Sequence, residues 1–150
     1  MTKVLIALMC AAMVTTNVQG SQPSEDAAKF VAVSHLKKGR ALSARGRLEA
    51  AEKEFDLAIV SYPDGAALYG ERGRARYERK NYTGAIEDFD VYLKAKPEDS
   101  TLRFLRSLAK SLLKPEDIIG ACADFLTIRE QAKDLDLGKY CNGQAGWPEK

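Results

Sequence analysis

Histidine, cysteine and neighbouring carboxylates are the side chains in this sequence that could support catalysis or metal binding. The chain contains one histidine, His35, so a Ser-His-Asp or Cys-His arrangement would have to use it, and no nucleophile-elbow glycine pattern is present. No glycine-rich phosphate loop ending in Lys-Ser or Lys-Thr is present either. One histidine and three cysteines leave no ligand cluster for a metal. The sequence therefore predicts a protein that is not an enzyme and has no metal and no cofactor, with His35 as a packed or surface residue.

The composition is that of an ordinary globular protein. Of the 150 residues, 45% are hydrophobic and 29% are charged, which suits one compact domain with a working core. The formal net charge of +2 is too small to argue for a nucleic-acid partner. Disordered, fibrous and multi-spanning membrane classes are excluded.

The first twenty residues, 1–20, have the layout of a secretory signal peptide. Lys3 gives a positive start, Val4 to Val14 is an apolar run, and small or modest side chains lead to a cleavage site after Gly20. The run is shorter than the about 20 residues that a membrane span needs, although an uncleaved anchor is the alternative. Cys10 lies inside the run and is interpreted as an apolar residue of the signal. We expect a periplasmic or secreted mature protein without a stable membrane span.

Removal of that segment would leave two cysteines, Cys122 and Cys141. An even number of cysteines in an exported chain favours a disulfide, because oxidising compartments let one persist. Two unpaired thiols are the alternative. The bridge would tie the tail, residues 134–150, back onto the last helix. Trp147 would either cover apolar surface there or be loosely ordered.

An internal repeat organises the rest of the chain. A shift of 34 residues superimposes small, aromatic and proline residues in matching order: Gly39 on Gly73, Ala51 on Ala85, Phe55 on Phe89, and Pro63 on Pro97. This period is typical of stacked helical hairpins. Glycine and alanine suit places where two helices cross closely, and proline ends a helix. Helix starts are predicted after Ser24, after Asp64, and after Asp99 or Ser100.

These residues resemble the tetratricopeptide repeat. The resemblance implies an all-α fold, a short right-handed solenoid of antiparallel helical hairpins within residues 21–133. It has two regular repeats, 32–65 and 66–99, and one irregular C-terminal repeat, 100–133, whose register slips by two residues near Lys114. His35 stands where the first repeat usually has an aromatic residue, and Tyr92 where the second usually has alanine.

The charges separate by helix. First helices of the hairpins are rich in lysine and arginine, and second helices in acidic residues. In the family the first helices line a concave groove, so the resemblance implies a basic groove edge and an acidic back. The alternative is that these arginines are solvated or pair with neighbouring acids. The predicted groove residues are Leu36, Arg40, Arg74, Tyr77, Phe104 and Leu108.

The resulting functional hypothesis is a non-catalytic scaffold that binds a protein or peptide partner in this groove. Arginine would pair with carboxylates and the aromatic residues would supply apolar anchors. The family's clamp for a C-terminal carboxylate is not expected, because Leu36 and Leu105 occupy positions that it needs polar. The alternative is a structural subunit that self-associates through an end repeat as a homodimer. No nucleic-acid partner is expected.

Overall fold

The computed structural model describes residues 24–113, 122–124, 126 and 141. Its helices are α1 (Glu25–Ser43), α2 (Leu48–Ser61), α3 (Ala66–Glu78), α4 (Tyr82–Ala95) and α5 (Ser100–Leu113). Each helix packs against the next one along the chain, and the described residues contain no β-strand. The predicted all-α stack of helical hairpins is confirmed.

Three of the described helices are capped at their start by a side-chain oxygen that accepts from the amide three residues later. Ser24 Oγ accepts a hydrogen bond from the Ala27 amide at 3.3 Å, Asn81 Oδ1 accepts from Gly84 at 3.2 Å, and Asp99 Oδ1 accepts from Leu102 at 3.0 Å. The expected start after Asp64 is one residue early, because Gly65 is the N-cap of α3 and no side chain caps that helix. The backbone turn before α3 places the helix without a capping side chain.

The turns inside the two hairpins repeat as well. Gly46, with φ of 71°, and Lys80, with φ of 64°, both adopt the left-handed conformation. They lie 34 residues apart, so both hairpins turn in the same way. Glycine adopts this conformation without steric cost, whereas Lys80 is a less favourable residue for it.

The core of each hairpin is a close helix crossing filled by one phenylalanine. Phe55 and Phe89 are fully buried, as are Ala51 and Ala85. A Cβ atom on Gly73 would lie 2.7 Å from Phe89 Cε1, and one on Gly39 would collide with Phe55 in the same way. The phenylalanine rings therefore occupy the space that the glycines leave. Pro63 and Pro97 follow the ends of α2 and α4.

The unusual Tyr92 is accommodated by a compensating small residue. A Cβ atom on Gly70 would lie 2.9 Å from the Tyr92 ring, so the tyrosine lies where a side chain at position 70 would begin. In the first hairpin the sizes are reversed, with Leu36 on the first helix packing against Ala58 on the second. The tyrosine thus fits without opening the hairpin.

Several predictions fall on residues that are not described. The signal peptide at residues 1–20, most of the second helix of the third repeat and most of the 134–150 tail lie outside the described residues. Among the residues that are described, none of the helices combines the length and apolar character needed to cross a membrane.

Candidate functional site

The predicted groove residues come from the first helix of each hairpin. Leu36 and Arg40 lie on α1, Arg74 and Tyr77 on α3, and Phe104 and Leu108 on α5. Arg40, Arg74 and Leu108 follow one another at the repeat spacing, as do Leu36, Gly70 and Phe104. Because α1 contacts α3 and α3 contacts α5, these helices form one layer. Five of the six residues therefore hold equivalent positions on neighbouring helices, and Tyr77 lies three residues after Arg74 on α3.

Arg40 is tied to the next helix of that layer. Its Nε and Nη2 atoms donate to Glu71 Oε1 at 3.0 and 2.6 Å. Both side chains keep contact with solvent, with Arg40 56% exposed and Glu71 26% exposed. Arg40 thus links α1 to α3, and its charge is largely matched within the groove.

Arg74 differs from Arg40 because it makes no hydrogen bond or ion pair with any of the described residues. It is half-buried on α3, close enough to Asp99 and Tyr92 to act on both through its charge. Burial alone would raise the pKa of Asp99, but hydrogen bonds from the Leu102 amide and the Tyr92 hydroxyl, together with Arg74, lower it. Arg74 therefore acts on Asp99 through its charge, without a hydrogen bond between the two side chains.

The apolar residues of the layer are partly exposed and rest on the core. Tyr77 packs on the cluster around Phe89, and burial followed by the neighbouring Tyr82 raises the pKa of its phenol. Leu36 packs on two buried clusters, each of which joins residues of the first hairpin to one residue of α3. Phe104 and Leu108 are half-buried on α5. The layer therefore offers partly exposed apolar side chains around one arginine.

Several of the other cations on first helices bind acids of second helices. Arg72 Nη1 donates to Asp56 Oδ1 at 2.7 Å, and its Nε and Nη2 atoms donate to Asp88 at 3.0 and 2.6 Å. Asp56 belongs to the preceding hairpin and Asp88 to the same hairpin as Arg72. Arg72 therefore joins two consecutive second helices through one guanidinium.

The same arrangement recurs one repeat later. Arg106 Nη1 donates to Asp90 Oδ1 at 2.6 Å, and its Nε donates to Asp124 Oδ2 at 3.0 Å. Side-chain exposure also matches: 16% for Arg72 with 47% and 3% for its two acids, and 18% for Arg106 with 47% and 11%. We call these two units, Arg72–Asp56–Asp88 and Arg106–Asp90–Asp124, the arginine ladder.

Further pairs reinforce the ladder. Arg76 binds Glu52 at 2.8 Å and Asp88 at 3.1 Å, Arg79 binds Glu52, and Lys110 binds Asp124 at 3.1 Å. Burial alone would lower the pKa of Arg72, but the hydrogen bonds to Asp88 and Asp56 raise it, so the guanidinium stays charged.

These pairs change the expected charge pattern of the groove. The lysine and arginine side chains of the first helices do not form a continuous basic edge, because those in the ladder and its flanking pairs bind acids of the second helices. The alternative weighed from sequence, pairing with neighbouring acids, describes them. Of the predicted groove arginines, Arg40 and Arg74 stand apart from the ladder.

His35 is used in a contact between helices. Its Nδ1 atom lies 2.7 Å from Glu54 Oε2, joining α1 to α2. Glu54 occupies in the first hairpin the repeat position that Asp88 occupies in the second. His35 therefore contacts the equivalent of the acid that Arg72 binds one repeat later. Within the part of the chain that is described, no group of His, Cys, Asp and Glu side chains could hold a metal ion.

Cys122 and Cys141 are joined as a disulfide in the structure, with Cα atoms 5.6 Å apart, and both residues are buried. The formation of this bond in the cell stays a prediction.

Sequence reasoning missed two features. The first is the arginine ladder, whose signal was the recurrence of Arg72 as Arg106 together with Asp56 as Asp90. The second is an exposed apolar set on α1, formed by Phe30, Val31 and Val33. Helical spacing of Phe30 and Val33 was the available signal for it.

The family model described as tetratricopeptide repeat matches residues 36–100. This range begins within α1 and ends at the start of α5, so it covers the crossings at Gly39 and Gly73 and the ladder unit centred on Arg72. Curated proteins gave no match to the chain.

Proposed function

We propose that the chain is a scaffold that binds a segment of a partner protein on the layer formed by α1, α3 and α5, and the match of residues 36–100 to the tetratricopeptide-repeat model supports this. Tetratricopeptide repeats generally mediate protein–protein interaction and are typically non-catalytic. The observation that supports this surface is the division of the arginines. Those of the ladder are bound to second helices, whereas Arg74 on the layer makes no hydrogen bond or ion pair with the described residues.

The chemistry of the layer favours a segment that combines a carboxylate with apolar side chains. A guanidinium binds a carboxylate through two parallel hydrogen bonds, and partial burial strengthens such a pair relative to one in bulk water. Tyr77, Phe104 and Leu108 are partly exposed residues of the types that form apolar anchors at protein interfaces. A carboxylate of the partner segment would pair with Arg74, while apolar side chains next to it in the segment would cover Tyr77, Phe104 and Leu108.

The proposed compartment is the periplasm or the cell exterior. The signal-like composition of residues 1–20 supports export. Two cysteines remain after that segment, and they lie within bonding distance of each other. Oxidising compartments let such a bond persist.

Charge reversal within the layer tests the proposed function. Partners would be captured by cross-linking in the native compartment, and the binding affinity of a recovered partner would then be measured for Arg74→Glu and Arg47→Glu variants. Arg47 is an exposed arginine at the start of α2, away from the layer, and serves as the matched control. We expect Arg74→Glu to weaken binding by about tenfold or more, as for the loss of an interfacial charge pair, with Arg47→Glu unchanged. Equal affinities for the two variants would reject this surface.

A further inference from the structure

The first half of α1 carries the largest exposed apolar side chain of the described helices. Phe30 is 77% exposed, and the adjoining Val31 and Val33 are 43% and 45% exposed. Helices α3 and α5 begin at Ala66 and Ser100, so the repeat spacing would start α1 at residue 32. Helix α1 begins instead at Glu25. The extra residues at the start of α1, which include Phe30, therefore precede the position at which the first repeat would begin.

The contacts of α1 leave this apolar set on its free side. Ala32 and Gly39 are buried against the second helix and His35 binds Glu54 there, while Lys29 lies 5.4 Å from the centre of the Tyr62 ring. Phe30 and Val33 do not lie on the side of α1 that packs against the second helix, and both are exposed. Among the described helices, α1 contacts only α2 and α3.

The free side of α1 is self-complementary in charge as well as in apolar character. Asp26, Phe30, Val33 and Lys37 follow one another at intervals of four, three and four residues, and all four are exposed. This spacing places them in one stripe along a helix. The stripe runs from an acid through two apolar residues to a base. When a second copy of the stripe lies beside the first in the opposite direction, Asp26 faces Lys37 and Phe30 faces Val33.

We propose that α1 pairs in antiparallel orientation with the α1 of a second copy of this chain, around a two-fold axis between Phe30 and Val33. Asp26 of each copy then faces Lys37 of the other, and Phe30 faces Val33. A two-fold interface uses the same patch on both subunits, so a self-complementary stripe satisfies it. The contact goes beyond partner binding on the α1, α3 and α5 layer, since Arg74 takes no part in it.

Head-to-tail stacking through the arginine ladder is disfavoured by the residues at its ends. The position of Arg72 in the first repeat is Lys38, which would need an acid from a preceding second helix. The shift that aligns Asp88 with Asp124 aligns Asp90 with Leu126, so the last helix supplies no acid there. The α1 stripe is the surface that complements itself.

The interface would be small. One helix stripe buries less than the about 1,200 Å² that stable protein interfaces begin with, so we expect a reversible dimer with a dissociation constant of about 1 μM or higher, which dissociates on dilution. Two symmetric charge contacts, each exposed, make the dimer sensitive to charge and to salt.

Sedimentation velocity over a concentration series tests the pairing on the purified protein, with four variants. Asp26→Lys and Lys37→Asp each place like charges opposite each other at two symmetric contacts, and we expect each to weaken dimerisation by about tenfold. The combined Asp26→Lys, Lys37→Asp variant restores opposite charges and should return to within about threefold of the original. Lys94→Asp, an exposed charge reversal on α4, is the matched control and should leave the dimer unchanged.

A protein that is monomeric at every concentration overturns the proposal, as does a double variant no better than the single ones. Helical content by circular dichroism identifies a variant that fails to fold. If a charge variant fails to fold, Phe30→Ser takes its place in the test. This substitution changes no charge and should abolish the dimer. Arg74→Glu should leave dimerisation unchanged, because Arg74 takes no part in the α1 contact. Loss of the dimer and loss of partner binding can therefore be told apart.

Discussion

The arginine ladder makes a specific prediction about stability. Arg72→Met keeps the length of the side chain and removes its charge, leaving the nearly buried Asp88 with Arg76 Nη1, 3.1 Å away, as its cation. Removing one partner of a buried ion pair costs about 3–5 kcal/mol, because the remaining charge is left without compensation. Since Arg76 still compensates part of the Asp88 charge, we expect a loss of about 2–4 kcal/mol in the free energy of unfolding.

The outer acid of the same unit should behave differently. Asp56 is 47% exposed, so solvent screens its pair with Arg72. Exposed pairs contribute about 0–1 kcal/mol, and Asp56→Asn should cost no more than that. The contrast between Asp56 and Asp88 follows from burial, since both acids lie within hydrogen-bond distance of the same guanidinium.

Urea unfolding followed by circular dichroism measures both variants. A shift of the midpoint at constant slope reports a change in stability. Arg47→Met, at an exposed arginine at the start of α2, is the control and should change the free energy by less than about 0.5 kcal/mol. If Arg72→Met cost less than about 1 kcal/mol, or if Asp56→Asn cost as much as Arg72→Met, the reasoning from burial would be refuted.

Three further outcomes can be measured on the same protein. Gly73→Val should lower the free energy of unfolding by about 3 kcal/mol in urea titration, because even its Cβ atom would lie 2.7 Å from the fully buried Phe89 ring. An unchanged urea midpoint would contradict the tight crossing of the two helices. Burial alone would raise the pKa of Glu52, but Arg76 and Arg79 lower it below its ordinary value of 4.5. The stability that Glu52 contributes is therefore complete above about pH 5 and is lost as the pH falls through the lowered pKa. Glu52→Gln should flatten the dependence of thermal stability on pH below about pH 5, and a pH profile identical to that of the original protein would contradict this. Reduction of the Cys122–Cys141 bond, whose cysteines are separated by 19 residues, should cost about 3 kcal/mol, and free thiols in protein purified from an oxidising compartment would reject the bond.

The architecture could be predicted from sequence because its determinants are local and periodic. Gly73 and Phe89 recur at the spacing of Gly39 and Phe55, and such repetition leaves stacked hairpins as the packing that buries them all. Helix starts at Ser24 and Asp99 were also predictable, since these side chains cap the helix next to them.

The pairing of Arg72 with two second helices was missed because it depends on which face of a first helix meets a second helix. Arg72 and Arg74 are two residues apart and look alike in sequence, yet about 200° of helical rotation separates them. Arg72 therefore binds acids from two second helices, while Arg74 stays on the groove layer. The length of α1 beyond the repeat was missed because no matching hairpin precedes it.

Site-specific photo-cross-linking tests the central claim, partner binding on the layer of first helices, most directly. A photoreactive amino acid would replace Leu108 on α5 or, as the matched control, the exposed Val91 on the second helix α4, and the protein would be irradiated in its native compartment. The account predicts a cross-linked partner at position 108 that disappears when Arg74→Glu is added, with no such adduct at position 91. An adduct at position 91 and none at position 108 would contradict it.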